Sequence, residues 1–207
     1  MTTPVDSTAY FDNRAHDFDT PWRQARAKVI AEALKQTIRP EYASAMEFGC
    51  GTGLVGMELV NAFDSILFVD ASREMVKMLR EKIAMLPKAK AQQIDLTREP
   101  FEEQFDYIFS SMVLHHIGDT KGILRVLQER LNPGGMLALV DLNPVDPRFH
   151  MEDPDFAGHH GFEPSKMAEW LTETGLSGVR TATIFEGVRE MEGGDVPYSL
   201  FLATAVK

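Results

Sequence analysis

The sequence predicts an α/β fold whose central sheet is doubly wound and mostly parallel, and three observations carry that expectation. Apolar runs of strand length alternate with segments whose apolar residues recur at helical spacing. One such run, Met46-Glu47-Phe48, breaks into the glycine turn Gly49-Cys50-Gly51-Thr52-Gly53 and resumes at helical spacing. Open α/β folds hold nucleotides at such turns, on the carboxyl edge of a parallel sheet. Residues 178–188 and 198–206 alternate as strands about a hairpin loop at 190–195, which makes the last of seven expected strands antiparallel.

At 207 residues the chain is most simply one domain, long enough to bury roughly 70% of its extended surface. Its 44% hydrophobic and 25% charged residues fit an ordinary soluble globular protein. With no charged-then-apolar leader and no apolar run near the roughly 18 residues of a membrane span, a cytoplasmic location is expected. Cys50 is the only cysteine, so an internal disulfide and a thiolate metal cluster are excluded. The formal charge of −10 disfavours nucleic acid as a partner, since binding it depends on Lys and Arg displacing counterions.

In chain order, residues 9–38 read as helix interrupted at Thr20-Pro21, with Thr20 as N-cap and Pro21 in the first turn. The aromatic and charged stretch 10–19 is either a surface helix anchored by Tyr10, Phe11 and Phe18 or part of a lid. Residues 54–63 form the first crossover helix and 66–70 the second strand, which ends in Asp70. Met75, Val76, Leu79 and Ile83 make a helical stripe. Residues 91–96 read as the third strand, and the stretch 105–117 carries the next strand and its end. Ile123, Val126, Leu127 and Leu131 mark a helix stopped by Asn132-Pro133-Gly134-Gly135, ahead of a fifth strand at 136–141. The irregular span 143–162 is long enough to be a functional loop. An amphipathic helix at 165–174, closed by Gly175, precedes the hairpin.

The motif Glu47-x-Gly49-Cys50-Gly51-Thr52-Gly53, with Asp70 at the next strand tip, resembles motif I and motif II of the class I S-adenosylmethionine-dependent methyltransferases. Phe105-Asp106-x-Ile108, followed by Ser110-Ser111-Met112 and Leu114-His115-His116, is similar to motif IV of members acting on small molecules, quinone-biosynthesis relatives among them. The Asp/Asn-Pro-Pro-aromatic motif of nucleic-acid amino methyltransferases is missing from that strand end. The resemblance implies a Rossmann-like seven-stranded sheet, S-adenosylmethionine as cofactor and a small-molecule methyl acceptor. It further implies a lid over residues 1–40, and a cover on the acceptor site from residues 143–162.

The resemblance also implies a cofactor site. Glu47 would help receive the ligand's ammonium group, and Phe48, Gly49, Cys50, Gly51, Thr52 and Gly53 would line its methionine and ribose portions. Asp70 would accept the ribose hydroxyls, with Ala71, Ser72 and Met75 beside it, although Ser72 also suits a helix N-cap and Met75 the core. Asp95 would take the adenine amino group and Leu96 pack on the ring, although Asp95 could equally start a turn. Ser110, Ser111 and Met112 would lie beside the reacting sulfonium. His115 and His116 are the candidate catalytic residues, because neutral imidazole can take a proton from an attacking oxygen or nitrogen. Capping and packing roles remain open for both.

No helical His pair of metal-binding spacing occurs, and no metal is assigned. Two rivals stand. Gly51-x-Gly53-x-x-Gly56 with Asp70 also satisfies a dinucleotide pattern, as in an NAD-dependent oxidoreductase. A non-catalytic module that binds S-adenosylmethionine or S-adenosylhomocysteine would carry the same turn.

Overall fold

The computed structural model describes residues 8–153, 156–191 and 194–207. Seven strands form one sheet: β1 (Ser44–Phe48), β2 (Ser65–Asp70), β3 (Ala89–Gln93), β4 (Phe105–Ser111), β5 (Leu131–Leu142), β6 (Ser177–Arg189) and β7 (Val196–Val206). Their order is β3-β2-β1-β4-β5-β7-β6. The first five pair in parallel, and β7 runs antiparallel to both its neighbours. The order reverses between β1 and β4, where the crossovers leave opposite faces of the sheet and open a crevice at its carboxyl edge.

The parallel strands are buried on both faces because alternate side chains feed two separate cores. On β4, Tyr107 and Phe109 join the core that contains Ile30, Leu34 and Leu59, whereas Ile108 joins the one that contains Ile123, Leu127 and Leu171. The first core is closed by α2 (Pro21–Lys35), α3 (Gly56–Leu59) and α4 (Arg73–Ile83), and the second by α5 (Thr120–Glu129) and α6 (Pro164–Glu173), while α1 (Thr8–Arg14) packs against α4. The expected stripe of α4 is buried as Met75, Val76, Leu79 and Ile83. Thr20 caps α2 by accepting from the Arg23 N–H, and Pro21 fills the first helical position as its fixed φ favours.

Three elements depart from the sequence reading. The first crossover helix is only Gly56–Leu59 with a 3-10 turn at Val60–Ala62, because the chain spends residues 49–55 in the glycine loop. The third strand stops at Gln93, which leaves Asp95 in the following turn, where its carboxylate accepts from the Thr97 N–H (3.0 Å) and hydroxyl (2.5 Å). Asn132-Pro133-Gly134-Gly135 lies inside β5 rather than ahead of it. There the Gly134 N–H donates to the Lys207 carbonyl, and the Lys207 N–H donates to that of Gly135.

Close approach, not turn geometry, explains Gly56: a Cβ there would collide with the Glu47 carboxylate and the Phe68 ring. Gly56→Ala is expected to lower the unfolding free energy by about 1–3 kcal/mol in urea titrations. Gly118, with open space around it, serves as control, and Gly118→Ala should shift stability by less than about 0.5 kcal/mol.

Candidate active site

The glycine turn is folded onto the tip of β2. The Gly49 and Cys50 N–H groups both donate to the Val69 carbonyl (2.8 and 3.0 Å), and the Gly51 N–H donates to Asp70 Oδ2 (2.7 Å). Asp70 Oδ1 accepts from the Ser72 N–H at 2.8 Å. Holding these bonds requires φ of +69°, +52° and +83° at Gly49, Gly51 and Gly53, the left-handed region that glycine occupies without a Cβ penalty. Chemically, these amides are spent inside the turn and two carboxylates flank it. A pyrophosphate would meet two carboxyl groups and no positive side chain at the turn, which counts against the dinucleotide reading.

A cavity of about 960 Å³ opens over this edge of the sheet. From the glycine turn it is lined by Glu47, Phe48, Gly49, Cys50 and Gly51, and from the tip of β2 and α4 by Asp70, Ala71 and Met75. Asp95 and Leu96 line it beyond β3, as do Ser111, Met112 and His116 beyond β4. Five predicted residues stand outside this wall. The Thr52 hydroxyl donates to Asp19, and Gly53 packs against Leu79. Ser72 caps α4, Ser110 donates to the Phe48 carbonyl (2.8 Å), and His115 points back toward β5.

Glu47 is 2% exposed, and its Oε2 has no hydrogen-bond partner among the described residues. Burial, with the Asp70 charge adding to it, pushes its carboxyl well above the usual carboxylate range against the pull of the Gly56 N–H. Burial also raises Asp70, opposed by the Ser72 and Gly51 N–H groups. An orphaned acid oxygen at the cavity wall fits a ligand that brings its own cation, as the ammonium group of S-adenosylmethionine does. The group fits the residues present.

Beyond β4 the chain is strained and dense in imidazoles. Met112 takes φ +60°, which a non-glycine residue adopts only where its surroundings enforce it. Leu114–His116 then forms a 3-10 turn. His115 Nδ1 meets Asp141 Oδ1 at 2.6 Å, and the same buried carboxylate accepts from the Leu114 and Leu142 N–H groups, so the turn is fastened to β5. His116 faces the cavity with its Nδ1 buried and unpartnered among the described residues. Burial, then His115 and His150, hold its pKa well below the ordinary value, and the ring is neutral at pH 7. Burial, then His115, His160 and Arg189, push His150 down to about 3, and its ring stacks on Phe156 at 3.9 Å. The span 143–162 reaches the cavity through Ala157 and is tied down by the His159 N–H, which donates to the His115 carbonyl (2.7 Å).

The sequence reading missed the contribution of the N-terminal segment to the wall in residue terms. Phe11, Phe18, Arg23 and Arg26 line the cavity, and Phe11 meets the His116 ring edge-on at 5.0 Å. Two aspartates fasten this segment. Asp12 accepts from the Ser72 hydroxyl (2.5 Å) and the Glu74 N–H (3.2 Å), and Asp19 pairs with Lys82 (2.6 Å). The mixture of aromatics and acids in residues 10–19 was the available signal.

Residues 46–137 match the family model described as a methyltransferase domain. An uncharacterized methyltransferase of Schizosaccharomyces pombe is 32% identical over 151 residues, 65% of this chain; the chain spans about half (53%) of that protein's length. The ubiquinone biosynthesis O-methyltransferase of Xanthomonas axonopodis is 25% identical across 83% of this chain and 79% of its own. In structure, the DhpI-SAM-HEP complex superposes with a TM-score of 0.74 at 19% identity, covering 100% of this chain and 99% of that one. Over residues 46–137 the chain is thus similar to the methyltransferase domain family, and its whole fold is similar to that of the DhpI-SAM-HEP complex. Among the described residues no helix is long and apolar enough to cross a membrane, and no group of His, Cys, Asp and Glu side chains could hold a metal ion.

Glu47 links this site to stability. The unfolded chain ionises it near 4.5, whereas the fold favours the protonated acid, so stability falls as pH rises from that value through the raised folded pKa. Ligand-free Glu47→Gln is therefore expected to melt above the parent protein at pH 8, with the gap closing toward pH 5. Its affinity for S-adenosylhomocysteine should fall about tenfold or more, measured by calorimetric titration.

Proposed function

We propose that this chain transfers a methyl group to a small-molecule acceptor, with His116 as the general base. The observation that carries the reading is the position of His116: a neutral, buried imidazole on the wall of the same cavity as the acid-flanked glycine turn, its Nδ1 without a partner. When bound, S-adenosylmethionine supplies an activated methyl group on a sulfonium. Glu47 receives the ammonium group of the cofactor, Asp70 the ribose hydroxyls, and Asp95 and Leu96 the adenine.

Phe11 and Met112 then confine the acceptor against His116 and exclude water. Alignment of two reactants in such a site is worth roughly 7–11 kcal/mol of barrier. His116 takes the proton that an attacking hydroxyl or amine must lose. His115 acts through its neighbour as a positioning residue, since its bond to Asp141 fixes the 3-10 turn that presents His116. The similarity to a ubiquinone biosynthesis O-methyltransferase supports an acceptor of small size, and the described residues 8–40, 143–153 and 156–162 supply its cover, residues 1–7 of the expected lid lying outside the described ones.

Calorimetric titration with S-adenosylmethionine, S-adenosylhomocysteine and NADH, followed by methyl-transfer assays on a panel of small hydroxyl and amine compounds, tests this reading. S-adenosylhomocysteine is expected to bind and NADH to fail; the reverse overturns the reading. Asp70→Ala should lose most cofactor affinity. His116→Ala should keep it while turnover drops about 10²-fold or more, and unchanged turnover removes His116 from the chemistry.

A further inference from the structure

The geometry points to an acceptor that carries an oxyanion, a carboxylate or a phosphate-type group, received by Arg23 and Arg26 of α2; this rests on the methyl-transfer reading above. Both arginines line the cavity, and neither has a carboxylate within ion-pair distance among the described residues. Arg23 spends one N–H on the Phe18 carbonyl (3.2 Å), with its guanidinium 4.4 Å above the Phe18 ring. The Arg26 guanidinium lies 4.2 Å over the Trp22 ring. Burial is the leading influence on each and works against its charge.

The surroundings relieve this only in part, through Tyr10 and Glu152 for Arg23 and Tyr198 for Arg26. Arg14 and Arg189 act on Arg23, and the acid nearest to that group, Glu152, is already shared by Arg14 (3.4 Å) and Arg189 (2.8 Å). In a chain of net charge −10, this is a local excess of cations at the wall of a cavity. A partly desolvated guanidinium without a counter-ion costs several kcal/mol, and its planar fork matches carboxylate and phosphate oxygens two at a time. Tyr198 lies beside Arg26 and favours its charge.

The cofactor also brings a carboxylate, which could be the anion these arginines await. Its ammonium and carboxylate share one carbon, so a guanidinium bound to that carboxylate would sit near Glu47 and pull the Glu47 pKa down. Among the described residues, Asp70 is the charge that bears on Glu47, and neither Arg23 nor Arg26 does. The α2 pair is therefore assigned to the acceptor and not to the cofactor.

Calorimetric titration of the protein loaded with S-adenosylhomocysteine tests this, with benzoate and phenyl phosphate as anionic probes and benzamide as the neutral match. At least one anion is expected to bind and benzamide to fail. The double variant Arg23→Gln, Arg26→Gln should weaken the anion by about tenfold or more and S-adenosylhomocysteine by less than about threefold. The charge-keeping variant Arg23→Lys, Arg26→Lys should retain most of the anion affinity, which separates a binding loss from a folding defect. Benzamide binding as tightly as benzoate overturns the inference, as does silence from both anions at about 10 mM. Equal loss of anion and S-adenosylhomocysteine affinity overturns it too, because the pair then holds the cofactor. Failure of the parent protein to bind S-adenosylhomocysteine at all appears in the loading step and removes the methyl-transfer reading itself.

Discussion

The hydrogen bond from the Gly51 N–H to the Asp70 carboxylate, reinforced by the two amides that converge on the Val69 carbonyl, is the constraint on which the site depends. It locks the turn after β1 to the tip of β2. A carboxylate held this way, next to a second buried acid, gives one end of the cavity two carboxyl groups that burial makes costly to ionise without a partner cation. Everything chemical about the site follows from that polarity. A ligand bearing positive charge is drawn to it, and one bearing several negative charges is repelled.

The opposite end is built on different terms. The left-handed backbone at Met112 swings the chain off β4 so that the following 3-10 turn can place His116 on the cavity wall, and Asp141 bonds that turn from behind through His115. The two histidines are sequence neighbours with opposite fates. One is saturated by a buried carboxylate and rigid, and the other is buried, neutral and free at Nδ1. Aromatic rings from α1 and from the loop after β5 surround the free one, with Phe11 at 5.0 Å and Phe156 at 5.5 Å.

The mostly parallel seven-stranded sheet and its antiparallel C-terminal strand were legible in the sequence because they rest on short-range signals: apolar runs, glycines that need positive φ, and a hairpin loop between alternating segments. Asp95 was misplaced by a few residues, since a boundary set by turn chemistry is indistinct when Ile94 and Leu96 continue the apolar pattern. The length of the first crossover helix was overestimated for the reverse reason: helical spacing in residues 54–63 persists although the glycine loop takes the first turn. The arginines of α2 gave no signal at all. On a helix whose apolar stripe points to the core, Arg23 and Arg26 look like solvent-facing charges, and only tertiary structure shows that this flank of α2 borders a cavity.

Asp12 does for α4 what a helix ordinarily does for itself, since it accepts from the Glu74 N–H and from the hydroxyl of the capping residue Ser72. Asp19 meanwhile holds Thr52 and Lys82. Undocking the N-terminal segment would strip a cap from α4 and a tether from the glycine turn in a single event. Access to the cavity and fraying of a helix that lies beside Asp70 are thus one mechanical coordinate: the door cannot swing without loosening the frame on which it hangs.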